Sequence, residues 1–271
     1  MRTLPFVSAL GIALLAAPAQ AQSRPLYVTD GYDSQIFTIQ GGAVTSQFTP
    51  ATIQAFGLAV SSDIRTLGSA NGYSGQGYTF GGTPTGAPVP NTTGLCCFFD
   101  GTTDGTYNYA SSYYGGIWRA NTDWSGLAPF ISTSIPGNLV GITYDSGTNS
   151  LWVGQYGNGS YNNSIFQYAM NGTLLSSFTP NVVGNGISAL AYDYVDETLW
   201  FSNNDPSATL FQYSRSGTEL GSVNVTGTNG GQLFAAEFQL EPSAVPEPAS
   251  VVLLATGLLG IAGIAARRRK A

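Results

Sequence analysis

The chain has 271 residues, of which 43% are hydrophobic and 9% charged, with a formal net charge of −6 and no histidine. Residues 22–240 contain four arginines and no lysine against 13 acidic residues, a net charge of −9. Such a surface repels nucleic acid and anionic lipid, and the lack of histidine excludes Ser-His-Asp catalysis and imidazole metal ligands. Gly, Ser, Thr, Asn and Tyr are abundant, which predicts an all-β extracellular protein with many turns.

Residues 1–21 predict a secretory signal peptide. Arg2 is followed by an apolar stretch and by the small-residue site Ala19-Gln20-Ala21, after which we expect signal peptidase to cut. The mature protein is therefore expected to begin at Gln22 and to be exported. Without this segment and the C-terminal tail, about 220 residues remain, enough for one domain with a substantial core or for two small ones.

A pattern of four short apolar strands repeats along the chain. The stretch beginning at Asn185 and the stretch beginning at Asn138 both read apolar strand, Tyr-Asp turn, Leu-Trp strand, Phe-Gln-Tyr strand and final strand. The second strand of each repeat is expected to be anchored at Tyr27, Leu67, Tyr107, Trp152 and Trp200. Four-stranded repeats at about 40–50 residues predict a β-propeller.

We expect the propeller to span residues 24–240 and to have five blades. Their ranges are about 26–50 together with 231–240, 55–90, 94–132, 138–180 and 185–226. The first blade lacks its own first strand, and GGQLFAAEFQL near the end of the domain supplies it. This C-terminal strand closes the ring and covers the open sheet edges. A β-sandwich and an open repeat array are the alternatives, and the displaced strand favours the closed ring.

The loops between second and third strands are expected to crowd one rim of the central channel, where propellers usually bind ligands. Their candidate ligand-binding residues are Tyr32, Tyr73, Tyr113, Tyr114, Tyr156, Tyr161, Asn203 and Asp205, and Asn162, Asn163 and Asn204 lie in the same loops. Tyrosine with asparagine supplies flat amphipathic rings and adaptable hydrogen bonds, which suits a sugar. Turn chemistry alone explains Gly and Asn but not six tyrosines, so a binding rim and ordinary loops both stay open.

The turns between first and second strands are expected at the opposite rim, where aspartates collect. These acidic residues are Asp63, Asp100, Asp104, Asp145, Asp193, Asp196 and Glu197. Asp100 and Asp104, in DGTTDG, are candidate Ca²⁺ ligands. An aspartate that bonds its own backbone opens such a turn without a metal, and we favour that interpretation. No other metal or cofactor is expected.

An enzyme is the main alternative to a binding protein. A glycoside hydrolase or lyase on a five-bladed propeller needs two carboxylates that face the channel. Asp30, Asp33 and Asp205 are the acidic residues predicted at the ligand rim, and no motif singles them out. Lactonase-like propellers usually need a histidine ligand, which this chain lacks. We therefore expect no catalytic residues.

Cys96 and Cys97 are the two cysteines of the chain. Neighbours on a strand point to opposite faces, so a disulfide between them is geometrically difficult. We expect two buried thiols, with a strained vicinal disulfide as the alternative.

The C-terminal tail has three parts. A linker at 241–250 contains Val245, Pro246, Glu247 and Pro248; an uncharged apolar run covers 251–266; and the basic end at 267–271 contains Arg267, Arg268, Arg269 and Lys270. The apolar run is about 24 Å long as a helix, short for a span but flanked by basic residues that stay on the cytoplasmic side. The pattern predicts one transmembrane helix rather than a buried helix of a soluble fold.

With these three parts in this order, the tail resembles the PEP-CTERM sorting signal of Gram-negative bacteria. The resemblance implies processing by an exosortase, a membrane-embedded cysteine protease thought to cut near Pro-Glu-Pro, in hosts that usually make an exopolysaccharide. It implies export through the inner membrane, a temporary anchor, and a final place at the cell surface or in the matrix. There we expect a non-catalytic propeller that binds exopolysaccharide or a matrix protein. A structural component without a defined ligand is the other alternative.

Overall fold

The computed structural model describes residues 22–31, 35–157, 163–182, 184–228 and 230–240. The chain divides into two units, Met1–Gln239 and Leu240–Ala271, and the strands below all belong to the first. In chain order they are β1 (Leu26–Asp30), β2 (Ile36–Gln40), β3 (Ala43–Phe48), β4 (Gly57–Val60), β5 (Ile64–Leu67), β6 (Ser74–Gly75), β7 (Gly77–Tyr78), β8 (Val89–Pro90), β9 (Phe98–Thr103), β10 (Asn108–Ser112), β11 (Ile117–Ala120), β12 (Ala128–Ile131), β13 (Asn138–Asp145), β14 (Ser150–Tyr156), β15 (Ile165–Ala169), β16 (Leu174–Phe178), β17 (Ser188–Asp193), β18 (Thr198–Ser202), β19 (Thr209–Ser214), β20 (Glu219–Asn224) and β21 (Leu233–Phe238).

These strands form the five blades of a β-propeller, as the repeat predicts. Blades three, four and five are antiparallel meanders of four consecutive strands, β9 to β12, β13 to β16 and β17 to β20. Blade one has the order β21-β1-β2-β3, with Leu26 opposite Phe238 and Val28 opposite Ala236. The C-terminal strand therefore closes the ring, and this prediction is confirmed.

The innermost strands surround the channel in a closed circle. Strand β4 contacts β9, β9 contacts β13, β13 contacts β17, β17 contacts β21, and β21 returns to β4. Strand β17, SALAYD, is buried along its whole length, because both faces of an inner strand lie against protein. A β-sandwich and an open array do not produce this circle.

The core consists of one apolar cluster at each junction between blades. The junction of blades four and five is filled by Trp152, Ile187, Leu199, Phe201 and Tyr213 with their neighbours, and four further clusters occupy the other junctions. Stability thus depends on contacts between neighbouring blades more than on any single sheet.

Blade two is the least regular blade. It has the three-stranded sheet β4-β5-β7, beside which β6 and β8 form a two-stranded ribbon. The segment GGTPTGAPVP (81–90) follows β7. Proline cannot donate to a strand ladder, and glycine weakens a strand, so a regular fourth strand does not form there.

The structure corrects one anchor of the repeat. Tyr107 precedes β10 and is 37% exposed, whereas Tyr109 within β10 is 1% exposed. Tyr109 donates to Asp104 Oδ2 at 2.7 Å, just as Trp152 Nε1 donates to Asp145 Oδ2 at 3.2 Å. Tyr109 is therefore the counterpart of Trp152, and the alignment at Tyr107 was displaced by two residues.

The prediction of two buried thiols is wrong, because Cys96 and Cys97 form a vicinal disulfide across a cis peptide bond. Both residues are half-buried and precede β9. Because the two cysteines lie outside the strand, their side chains need not point to opposite faces, and a disulfide between them is possible.

Within the described ranges, no helix is long and apolar enough to cross a membrane. The predicted signal peptide at 1–21, the sorting linker at 241–250, the predicted span at 251–266 and the basic end at 267–271 lie outside the described residues.

Candidate functional site

A cavity of about 260 Å³ opens at one end of the channel. Its described lining consists of Phe99, Tyr113, Val140, Tyr156, Asn185, Ser188, Asn204, Gln232 and Phe234. Three of these residues follow or end second strands, and the others enter first strands of neighbouring blades. The cavity therefore lies at the rim predicted to bind ligands, which we call the pocket rim.

Aromatic rings form one wall of the pocket. The Phe99 ring lies 5.2 Å from that of Phe234 and 5.7 Å from that of Tyr113, and Tyr113 lies 5.8 Å from Tyr156. Phe56 is buried behind them, 5.1 Å from Phe234 in an edge-on arrangement. Edge-on and tilted rings attract one another through their quadrupoles, so the wall is held in shape before any ligand binds.

Two glycines make room for this wall. A Cβ on Gly31 would lie 2.5 Å from the Phe234 ring, and a Cβ on Gly186 would lie 2.5 Å from Cδ2 of Tyr156. Any larger residue at either position would push a ring out of place. Glycine at these two positions therefore leaves the space that the rings of Phe234 and Tyr156 occupy.

Besides the two tyrosines, the polar residues of the described lining are Asn185, Asn204, Gln232 and Ser188. Ser188 Oγ donates to the Leu233 carbonyl at 2.7 Å, and Gln232 Nε2 donates to the Asn204 carbonyl at 3.1 Å. These bonds join blades one and five at the pocket. Asn204 has a left-handed backbone, with φ of 55°, and its Oδ1 is buried without a hydrogen-bond partner. This acceptor is closed to solvent, so it is not presented to the cavity.

The structure brings together only part of the predicted rim. Tyr113, Tyr156 and Asn204 line the pocket, and Tyr114 is 68% exposed beside Tyr113. Tyr73 is half-buried in another loop of the rim and does not line the cavity.

Two further candidates serve the rim's own structure. Asn203 is buried, and its carbonyl accepts from Asn185 N. Asp205 accepts from Ser207 N at 2.9 Å, within its own turn. Tyr32, Asp33, Tyr161 and Asn162 lie outside the described residues. Asn163, at the edge of that gap, bonds Gly157 and Gly184.

The sequence does not identify the pocket residues at the start of the first strands, which are Phe99, Val140, Ser188, Gln232 and Phe234. A usable signal existed in the doublet Phe98-Phe99. Side chains alternate along a strand, so Phe98 packs in the blade junction while Phe99 faces the channel mouth.

The opposite rim, which we call the aspartate rim, is built differently. Asp104 Oδ1 accepts from Thr106 N and Tyr107 N, both at 2.7 Å. Asp145 Oδ1 accepts from Gly147 N at 2.9 Å and Thr148 N at 3.1 Å. In both turns the aspartate carboxylate accepts from backbone N–H groups two and three residues further on, which closes the turn. This is the interpretation that we favour from the sequence.

The two candidate Ca²⁺ ligands, Asp100 and Asp104, are engaged in hydrogen bonds within the protein. Asp100 lies inside β9 rather than in a turn, and it is 0% exposed. Its oxygens accept from three backbone N–H groups, those of Gly101 at 2.8 Å, Ile142 at 3.0 Å and Leu190 at 3.1 Å. Both oxygens of Asp104 are used in its turn and by Tyr109. Among the described residues, no group of three potential metal ligands is found.

A second carboxyl group lies in the channel wall with Asp100. Glu237 in β21 accepts from Thr143 Oγ1 at 3.2 Å, and Thr143 Oγ1 itself accepts from Tyr192 N. Burial raises the pKa of both carboxyl groups well above their usual range, and the charge of Glu237 raises the pKa of Asp100 further. Three N–H donors oppose this rise at Asp100, and because the two groups interact, their titration belongs to the pair.

The fold and pocket define a five-bladed β-propeller of no specific family, with a pocket at one rim whose described lining is aromatic and uncharged. Residues 244–270 match the PEP-CTERM protein-sorting motif, which confirms the prediction for the tail. This motif implies export, transient membrane anchoring and processing by an exosortase, a membrane protease. No curated protein matches the sequence.

The fold has relatives among solved structures. A chain in the crystal structure of a nidogen/laminin complex superposes with a TM-score of 0.54 at 13% sequence identity. The match covers 80% of the present chain and 99% of the other. At this identity the likeness shows the fold alone.

Proposed function

We propose that the pocket rim binds a sugar ring of an exopolysaccharide, without catalysis, at the cell surface or in the extracellular matrix. The observation that carries this proposal is the pocket itself, in which a preformed wall of four aromatic rings faces amide groups. Aromatic faces stack on the apolar faces of sugars, and amides bond hydroxyl groups. A cavity of about 260 Å³ lies just below the usual range of about 300–1,000 Å³ for small-ligand pockets, which suits one ring of a longer chain.

A matrix protein is a weaker candidate for the ligand. Stable protein–protein interfaces cover about 800 Å² on each partner and centre on large exposed side chains. The aromatic rings that line the pocket are partly buried in a concave surface, unlike the exposed side chains of a protein interface. Among the described aromatic residues beside the pocket, Tyr114 is strongly exposed. This geometry suits a narrow ligand that enters the channel mouth.

A glycan-cleaving enzyme needs two carboxyl groups at the bond that breaks. Asp205 is committed to a turn, and Asp30 is fully buried. Asp100 and Glu237 accept hydrogen bonds from the channel wall and are not part of the pocket lining. These positions favour binding over cleavage.

The test is incubation of the purified protein with the host's exopolysaccharide, followed by measurement of both binding and chain length. We expect binding without shortened chains. Tyr113→Ala with Tyr156→Ala should lower the affinity about tenfold or more, since each ring contributes about 1 kcal/mol. Tyr107→Ala, a tyrosine substitution at the aspartate rim, is the matched control and should leave affinity unchanged.

Two results would contradict this function. Oligosaccharides released by the wild type and lost in Asp205→Asn would show an enzyme. Failure of the folded wild-type protein to bind any polysaccharide would contradict sugar binding and indicate a structural role without a ligand.

We also propose the route by which the propeller reaches the surface. Signal peptidase removes residues 1–21, the segment 251–266 holds the chain in the membrane as a helix, and the exosortase cuts near Pro246–Pro248. The disulfide of Cys96 and Cys97 is the state favoured in an oxidising compartment. The intact mass of the exported form tests this route. A mature chain that retains Arg267 to Lys270 would contradict the cut and indicate a permanent anchor.

A further inference from the structure

Every basic side chain of residues 22–240 lies away from the pocket. This range has four arginines and neither lysine nor histidine. None of the arginines lines the cavity. The lining of the pocket, as far as the structure describes it, therefore contains no cation.

Three of these arginines are engaged at the aspartate rim. Arg24 pairs with Asp193 at 2.8 Å, and Arg65 pairs with Asp63 at 2.8 Å. Arg215 lies 3.5 Å from Asp145 and also pairs with Glu197.

The fourth arginine is held by aromatic rings. The Arg119 guanidinium lies 4.5 Å from the centre of the Tyr107 ring and 4.6 Å from that of Phe130. A cation stacked between two rings is a stable arrangement. Arg119 is therefore held outside the pocket, beside Tyr107.

The polar side chains of the described lining are neutral, namely three amides, one serine and two tyrosines. Their N–H and O–H groups can donate to a sugar hydroxyl or to an anion, but none of them neutralises the charge of an anion. Asn204 Oδ1 is closed to solvent, so a ligand in the cavity does not reach it.

We propose that the pocket binds a neutral glycosyl residue and discriminates against residues that carry a carboxylate, sulfate or phosphate group. This inference rests on the proposed function and specifies its ligand. An anion that enters the pocket would lose hydration without gaining a cationic partner. The net charge of −9 over residues 22–240 adds long-range repulsion.

The experiment compares neutral oligosaccharides with their uronic-acid counterparts. Oligomers of glucose, galactose, mannose and N-acetylglucosamine are titrated into the purified full chain, beside oligomers of glucuronate, galacturonate and mannuronate. We expect a neutral oligomer to bind at least tenfold more tightly than any uronate. Its affinity should change less than twofold between low and high salt, because no ion pair is formed.

A charge placed at the pocket gives a second, gain-of-function test. Asn185 is exposed at the pocket, and its side chain has no hydrogen bond in the described structure. Asn185→Arg should raise uronate affinity at least tenfold. Ser222→Arg, on the exposed face of the outer strand β20, adds the same charge elsewhere and should leave uronate affinity unchanged.

The outcomes separate this inference from the proposed function. Uronates that bind as tightly as neutral oligomers would overturn the discrimination and leave sugar binding intact. An Asn185→Arg effect no larger than that of Ser222→Arg would also overturn it. If neither neutral nor acidic oligomers bind, the proposed function fails, and this inference fails with it.

Discussion

The two rims of the propeller contain similar turn-forming residues but use them in different ways. At the aspartate rim, the carboxylates of Asp104 and Asp145 accept hydrogen bonds from backbone N–H groups of the turn and from the aromatic residue of the next strand. At the pocket rim, the rings of Tyr113 and Tyr156 face a cavity, and the exposed amide of Asn185 lies beside it. Side chains whose hydrogen bonds are satisfied internally serve the fold, and those left available are the candidates for binding.

Both rims depend on ring closure, so breaking the ring has the largest expected effect. Deletion of residues 231–240 removes β21 and exposes the edges of β1 and of the neighbouring inner strands. The deletion removes the buried side chains of Leu233, Ala235, Ala236 and Phe238. This loss is large against a typical stability of about 5–15 kcal/mol, and open edges favour aggregation. Gel filtration should show aggregates rather than a monomer.

The matched control for this deletion is removal of residues 241–271, after the last strand pair. That truncation should leave the described propeller folded. A soluble monomer without residues 231–240 that melts like the wild type would contradict ring closure.

The structural role of the aspartate rim predicts the next largest effect. Asp145→Ala leaves Gly147 N, Thr148 N and Trp152 Nε1 without their acceptor, and Trp152 is fully buried. We expect a loss of about 3 kcal/mol in the free energy of unfolding, measured by denaturant titration. Sugar affinity should not change.

Asp123→Ala is the matched control for Asp145→Ala, because Asp123 also caps a turn but is exposed. Its loss should be about 1 kcal/mol or less. Equal losses in the free energy of unfolding of the two variants would show that burial of the turn does not determine how much its aspartate stabilises the protein.

The carboxyl pair between the rims predicts a dependence on pH. The pKa of Glu237 is raised by burial, so the folded state keeps a proton that the unfolded chain releases above about pH 4.3. The free energy of unfolding therefore falls as pH rises from there through the raised pKa. Each unit by which the pKa is raised corresponds to about 1.4 kcal/mol.

Glu237→Gln removes this titration while keeping an acceptor for Thr143. The variant should be more stable than the wild type at pH 8, and its stability should change less between pH 5 and pH 8. Glu219→Gln, at an exposed position, is the control and should retain the wild-type dependence. A Glu237→Gln variant with an unchanged pH profile would contradict a raised pKa at this residue.

Within the pocket rim, the smallest effect is expected at Tyr73. This residue belongs to the same rim but not to the cavity, so Tyr73→Ala should lower sugar affinity by less than about 0.5 kcal/mol. Tyr156→Ala should lower it by about 1 kcal/mol. Calorimetric titration distinguishes the two. A larger loss at Tyr73 would move the binding surface away from the pocket.

The sequence predicts the blades because each repeat must bury the same face. The Leu-Trp and Phe-Gln-Tyr strands of blades four and five differ little, so their alignment fixes the second and third strands of both. Blade three is harder, because DGTTDG offers two aspartates four residues apart. Hydrogen bonding shows Asp104 in the turn and Asp100 in the channel, a difference that spacing alone does not reveal.

The pocket is only half predictable for a related reason. Loop residues such as Tyr113 and Tyr156 stand out in the sequence because turn chemistry does not require tyrosine. Phe99 and Phe234 resemble ordinary core residues, and their exposure to the cavity depends on how neighbouring inner strands converge. Glu237 falls within the predicted closing strand, but its contact with Thr143 of another blade depends on the closed ring.

The most direct test of the contrast between the rims is hydrogen–deuterium exchange of the protein with and without saturating polysaccharide. We expect slower exchange at 110–116, 184–188, 202–205 and 231–234, which surround the pocket, and no change at the aspartate turns 103–107, 145–149 and 193–198. Protection confined to the aspartate turns, or spread equally over both rims, would contradict the assignment of binding to the pocket rim.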